Sequence, residues 1–187
     1  ALDEVVARAT AALEEFEYTA ALERIERFFW TFCDDYVELV KDRAYGSPGV
    51  DEAATESARL TLRTALSVLQ RLLAPFLPFA TEEAWSWWHD DSVHASEWPR
   101  STGSSPGSAE VITVASEVIR AIRKAKSDAR RSMRAPVSTA RVFAPAEALD
   151  AVRAISADLR AAGNVATLRL DPAEDQRLRV DVSLGDQ

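Results

Sequence analysis

Apolar residues recur at helical spacing through the first hundred positions. Val5, Ala9, Leu13 and Phe16 form one stripe and predict a helix over 1–16. Leu22, Ile25, Phe29, Phe32, Tyr36 and Leu39 alternate steps of three and four, which predicts a second helix from about Thr19, as N-cap, to Ala44. At 1.5 Å per residue that helix is about 39 Å long. Gly46-Ser47-Pro48-Gly49 ends it. Ala58, Leu62, Leu66, Leu69 and Leu73 mark a third helix over Asp51–Ala74. Pro75 and Pro78 break the chain, and Thr81 is the expected cap of a short helix carrying Trp85, Trp87 and Trp88, with Glu82 and Glu83 in its first turn. Trp85 and Trp88 are expected in the core, Trp87 elsewhere.

The pattern changes after residue 100. The Gly, Ser and Pro residues of 101–108 read as a flexible linker. A helix is predicted over 109–132, a strand over Val137–Phe143 and a helix from Pro145 to Gly163 with Ala148, Val152, Ile155 and Leu159 inward. Two alternating strands follow, around Leu168 and around Val180, with Asp171-Pro172 opening the turn between them. The expected architecture is mainly α: an antiparallel helical bundle over 1–100, the linker, and a small α-β-α-β-β domain over 109–187.

Composition narrows the class. The 187 residues are 47% hydrophobic and 28% charged, which is ordinary for a folded domain and excludes collagen-like and low-complexity chains. No apolar run approaches the ~20 residues of a membrane helix. One cysteine, Cys33, permits no internal disulfide and suits a reducing compartment. The start is acidic and lacks Met, which reads as no signal peptide and as a processed chain or a fragment. No glycine-rich phosphate loop and no metal-spaced Cys or His pair occurs. His89 and His94 lie near Asp90, Asp91, Ser92 and Ser96, but in a short polar loop that predicts no triad.

The net charge of -8 hides a split. Residues 1–100 carry 19 acids and 9 bases, whereas 101–187 carry 11 acids and 13 bases. Seven of those bases fall within 120–134 beside the single acid Asp128. On a wheel drawn over 109–134, Arg120, Arg123, Lys124, Arg130, Arg131 and Arg134 share an arc opposite Val111, Ala115, Val118 and Ile122. Like charges so placed repel, the face itself carries no acidic partner, and it is expected to take a phosphate backbone, with a plain solvated helix or pairing with the acidic first hundred residues as the alternatives. Lys41, Arg43 and Tyr45, two cations and an aromatic beside the Gly/Pro loop, suit an unpaired base, and equally suit a helix C-terminus with favourable cations and a packed Tyr.

Three stretches then carry a resemblance. They run Phe32-Cys33-Asp34-Asp35-Tyr36 to Tyr45, Leu73-Ala74-Pro75-Phe76 to Thr81-Glu82-Glu83-Ala84-Trp85, and Ser92-Val93-His94 to Trp98-Pro99. In order and spacing they resemble the anticodon-binding region of class I aminoacyl-tRNA synthetases for branched aliphatic amino acids. The likeness is greatest to the valyl-tRNA synthetase family, with the isoleucyl family as the alternative. Arg130-Arg131-Ser132-Met133-Arg134-Ala135-Pro136-Val137 extends it beyond the linker. The resemblance implies a monomeric, cytoplasmic, tRNA-gripping part of a valine–tRNA ligase, with no DNA or membrane partner. It also implies no catalytic residue, metal or cofactor in this chain, since ATP with Mg would belong to an upstream domain. Chains of the family often end in a helical coiled coil, where this one ends in alternating strands. A helical protein-interaction module is the competing reading from another class.

Overall fold

A computed structural model describes residues 1–100, 109–173 and 177–185, with side chains of the second segment described from Val111 onward. The elements are α1 (Leu2–Glu14), α2 (Tyr18–Thr31), a π-helical turn (Phe32–Val37), α3 (Glu38–Tyr45), α4 (Glu52–Leu73), α5 (Pro78–Ser86), a 3-10 turn (Val93–Ala95), α6 (Ala109–Asp128), β1 (Val137–Ala144), α7 (Ala146–Ala154), α8 (Ser156–Gly163), β2 (Val165–Pro172) and β3 (Arg179–Leu184). They form a helical bundle and a small α/β part. Two compact units result, Ala1–Cys33 with Glu56–Pro106, and Asp34–Thr55 with Gly107–Gln187. The segment 34–55, expected in the bundle, therefore groups with the second unit. The expected linker 101–108 lies outside the described residues.

In the first unit the core joins Val6 and Ala9 of α1, Ile25 of α2, and Leu69 and Leu72 of α4, bordered by Phe28, Phe29, Phe32 and Trp98. The buried residues of α1 are Val6, Ala9 and Ala12; of the expected stripe Ala9 is buried and Val5 borders the core. Phe16 instead ends the helix at φ 60 and is three-quarters exposed. Likewise Leu66 of α4 is exposed while Ala65 is buried. Pro78 starts α5, and Thr81 lies inside that helix, buried, its hydroxyl donating to the Leu77 carbonyl at 2.8 Å, so it is no cap. The third resemblance stretch is clasped onto this helix. The Glu82 carboxylate accepts from Ser92 Oγ at 2.9 Å and Val93 N at 3.0 Å, and Trp98 Nε1 donates to Thr10 Oγ1 at 2.8 Å. His89 stacks on buried Trp85 with centroids 3.8 Å apart, and His94 faces the Pro78 carbonyl. His89 is thus a packing group, and His94 an exposed group hydrogen-bonded to the main chain.

In the second unit β1 is the middle strand of a three-stranded sheet, parallel to β2 and antiparallel to β3. The parallel pair needs a crossover, supplied by α7 and α8. One helix was expected there. The chain breaks at Ile155 (φ -117), so the inward residues of the two helices belong to separate axes. Val118 and Ile122 of α6, Val142 of β1, Val152 of α7, Leu159 of α8 and Leu39 of α3 share one core. Asp171 and Pro172, expected in a turn, are the last residues of β2.

Four helices, α1, α3, α6 and α8, end with a residue in the left-handed region: Phe16, Gly46, Arg130 and Asn164. Each closes with paired reverse bonds, such as Arg131 N to Lys126 O at 2.8 Å and Arg130 N to Ser127 O at 2.9 Å. This is the Schellman arrangement. Gly46 and, more weakly, Asn164 announce it by residue type, whereas Phe16 and Arg130 do not. Among the described residues no helix is long and apolar enough to cross a membrane.

Candidate nucleic-acid interface

The basic residues of 120–134 do not share one helix. α6 stops at Asp128, so of the six bases of the expected face only Arg120, Arg123 and Lys124 lie on it, together with Lys126, which turns inward. Arg130, Arg131 and Arg134 belong to the segment that leads to β1. The helical wheel continued too far because the left-handed position is filled by an arginine (φ 53) and not by glycine.

The helical members have partners, contrary to the expectation of an acid-free face. Arg120 Nη2 lies 2.9 Å from Oδ2 of Asp35, which is buried while Arg120 is 64% exposed. Arg123 donates through both terminal nitrogens to the Asp34 carbonyl at 3.2 Å, with Asp35 Oδ1 at 4.0 Å. Lys124 pairs with Asp128 at 2.7 Å, exposed to water. The π-helical turn is what brings Asp34 and Asp35 here. Its i→i+5 pattern inserts a residue, shifts the following side chains around the axis and buries Asp35 with Leu39 and Val40. The regular seam placed Tyr36 on that side.

From the last turn of α6 onward the arrangement differs. Lys126, the seventh base of the run, is buried, and its Nζ donates to the carbonyls of Met133 at 2.9 Å and Gly163 at 2.8 Å. Burial holds its pKa below the usual lysine value. Asn164 Nδ2 donates to the Arg134 carbonyl at 2.9 Å. Arg131 Nη2 reaches the Gly185 carbonyl at 3.2 Å. The backbone of 130–137 is thereby fixed from two sides. The Arg130 and Arg134 guanidiniums are exposed and make no hydrogen bond or ion pair among the described residues.

The second candidate group sits at the end of α3. Lys41 pairs with Glu38 at 3.1 Å, half-exposed, and Tyr45 is 72% exposed. Arg43 is committed to the fold: its Nη2 lies 3.0 Å from Asp158 Oδ2 of α8, and both side chains are mostly covered. Burial raises the Asp158 pKa above the ordinary value, Arg43 pulls it down, and Asp42 adds a smaller upward push. Sequence reasoning missed Asp158, Lys126 and Asn164 as organisers. The left-handed tolerance of asparagine is the one local signal that could have marked any of them.

Comparison with known proteins adds the remaining facts. Residues 1–142 match the family described as the anticodon-binding domain of tRNA ligase. The chain is 52% identical over 188 residues to the valine–tRNA ligase of Thermobifida fusca, covering 98% of this chain and 21% of that protein. Identity to the valine–tRNA ligase of Cutibacterium acnes is 45% over 186 residues, covering 99% of this chain and 21% of that protein. Identity to the Salinispora tropica enzyme is 46% over 203 residues, covering 98% and 23%. The chain thus spans about a fifth of the length of these curated relatives. Matched over three-quarters of its residues, on a helical bundle followed by a small α/β part, the chain belongs to the anticodon-binding domain family of tRNA ligases.

Proposed function

We propose that this chain is the tRNA-gripping part of a valine–tRNA ligase. It holds the anticodon arm of a valine-accepting tRNA in the cytoplasm, as a monomer, while another part of the polypeptide joins valine to the tRNA with ATP and Mg. In this reading the chain has no catalytic group, metal or cofactor of its own, and neither DNA nor a membrane is a partner. The observation that carries it is the pair of unpaired, exposed guanidiniums at Arg130 and Arg134 on a rigidly held backbone. Arginine suits phosphate through its planar fork of donors. Arg120, Arg123 and Lys124 add positive potential, lessened by Asp35 and Asp128. Arg131 contributes charge from a pinned position. At the end of α3, exposed Tyr45 and Lys41, the latter in a half-exposed pair with Glu38, are the groups that meet an anticodon base, with Arg43 as their support through Asp158.

The test is binding of the chain to a valine-accepting tRNA across a salt series. With about four phosphates neutralised, log K falls against log salt with a slope of roughly -3 to -4. Arg130→Glu with Arg134→Glu weakens every tRNA alike, as backbone contacts do. Tyr45→Ala instead narrows the gap between valine-accepting tRNA and one with an altered anticodon. Binding that ignores salt, or no binding at low salt, refutes the reading. A stable oligomer indifferent to RNA favours a protein-interaction module.

A further inference from the structure

The sheet of the second unit has two unlike faces. Ala140, Val142 and Ala144 of β1 turn into the core against the helices. The alternate positions turn away from it. The register sets these in cross-strand rows, among them Asp181–Arg141–Arg169 and Arg179–Phe143–Asp171. Phe143, on the middle strand in the last outward row, is half-buried under cations. The Arg141 guanidinium carbon lies 4.8 Å from its ring centroid and that of Arg179 4.4 Å. Both arginines remain accessible, Arg141 48% and Arg179 66% exposed. Arg141 Nε is held by Asp171 Oδ2 at 2.6 Å, and Arg179 lies 3.5 Å from Asp181. Arg169 is exposed and makes no hydrogen bond or ion pair among the described residues.

Two features point to a ligand. Arg141 and Arg169 are directly opposite on neighbouring strands, where like charges destabilise a sheet. Three cations against two carboxylates leave these two rows net positive, in a chain whose total charge is -8. An anion over the Arg141–Arg169 pair removes the repulsion. A planar guanidinium backed by an aromatic ring, meanwhile, is a stacking surface for a nucleobase. We propose that this open sheet face is a second RNA-contact surface, on which Phe143 with Arg141 and Arg179 stacks an unpaired base and Arg169 takes the adjoining phosphate. The inference rests on the reading that the chain holds tRNA.

The experiment compares Phe143→Leu and Arg169→Gln with the unaltered chain, using a valine-accepting tRNA transcript over a salt series and a thermal melt of each protein. Phe143→Leu weakens binding about fivefold or more, without changing the salt slope. Arg169→Gln weakens it a few-fold and reduces the slope by about 1. Both melt near the unaltered chain. A photo-crosslinking benzophenone at position 143 attaches to the RNA. Wild-type affinity in both variants, alongside weakened binding by Arg130→Glu with Arg134→Glu, overturns this proposal and leaves the tRNA-gripping reading standing. A lowered melting point with unchanged affinity in Phe143→Leu makes the ladder purely structural and overturns it too. Loss of crosslinking to polyglutamate competitor, but not to a single-stranded oligonucleotide, assigns the face to an acidic polypeptide instead. No tRNA binding by the unaltered chain removes both readings together.

Discussion

Replacing Arg130 by glycine separates two effects that normally travel together. Arg130 occupies the left-handed position that closes α6, with φ 53. For a residue with a Cβ that conformation costs roughly 1–2 kcal/mol, and glycine avoids it. Glycine returns about 0.5–1 kcal/mol of that through the greater entropy of its unfolded chain. The net expectation is a gain of about 0.5–1 kcal/mol in the stability of the second unit. The guanidinium supplies no compensating contact, since it makes none among the described residues. The same change removes one phosphate contact, so tRNA affinity falls a few-fold and the salt slope shrinks by about 1. Stability is best read by native-state hydrogen exchange at β1 amides, such as Ala140 and Val142, which report opening of the second unit. Tryptophan fluorescence is blind to it, because Trp30, Trp85, Trp87, Trp88 and Trp98 all lie in the first unit. Arg130→Ala is the control, losing the charge while keeping the left-handed cost. Its affinity matches that of the glycine variant without the added protection. Reduced β1 protection in Arg130→Gly refutes the conformational argument, and unchanged affinity refutes the phosphate contact.

Three further outcomes follow from the same geometry. Lys126→Met leaves the carbonyls of Met133 and Gly163 without their donor, a cost of about 1–3 kcal/mol at neutral pH. Because burial lowers the lysine pKa, the unfolded chain binds the proton more tightly between the folded value and 10.5. The wild-type minus variant stability difference therefore rises with pH through that window, and chemical denaturation at a series of alkaline pH values measures it. Gly163→Ala places a Cβ 2.8 Å from Val165 Cγ2 and 3.0 Å from Ile122 Cδ1. Overpacking of this kind costs about 1–3 kcal/mol, and a melt that matches wild type shows the site to be more yielding than drawn. Thr10→Ala strips the Trp98 indole N–H of its acceptor, lowering the stability of the first unit by about 1–2 kcal/mol, which tryptophan fluorescence in urea reports directly.

Much of the fold was legible because burial repeats locally. Ala9, Ile25, Ala58 and Leu69 fell on the inward side as their spacing required. Element ends were legible only where the residue type carries the backbone preference. Gly46 ended its helix as expected, while Phe16 and Arg130 adopt the same conformation without the residue that usually signals it. The π-helical turn had no local mark at all. It shows in the exchange of Tyr36 for buried Asp35, and Asp35 is stabilised there by Arg120, far along the chain. The sheet order β2-β1-β3 is likewise non-local, since alternation names the inward residues of each strand but not its neighbours. At the candidate site the charges were legible and their partners were not. Arg43 read equally as a base-contacting cation and as a helix-end cation, and its partner, a carboxylate on α8, has no mark in the local sequence.

That sorting of charges has a physical order. Bases inside α6 stand on a regular helix, where the neighbouring turn and the next helix bring acids or carbonyls within reach. Arg120, Arg123 and Lys124 find them at 2.7–3.2 Å. Lys126 turns inward and donates to two carbonyls of the interior, those of Met133 and Gly163. Arg130 forms the left-handed turn and Arg134 follows it, where the backbone is already secured by Lys126 and Asn164. Their side chains have no structural task left to do. The turn that costs about 1–2 kcal/mol at Arg130 is therefore also what moves it out of the helix and away from the acids of the π-helical segment. Glycine at that position makes a more stable fold with one phosphate contact fewer. The strained arginine reads as a place where anion binding, and not stability, fits the residue to its position.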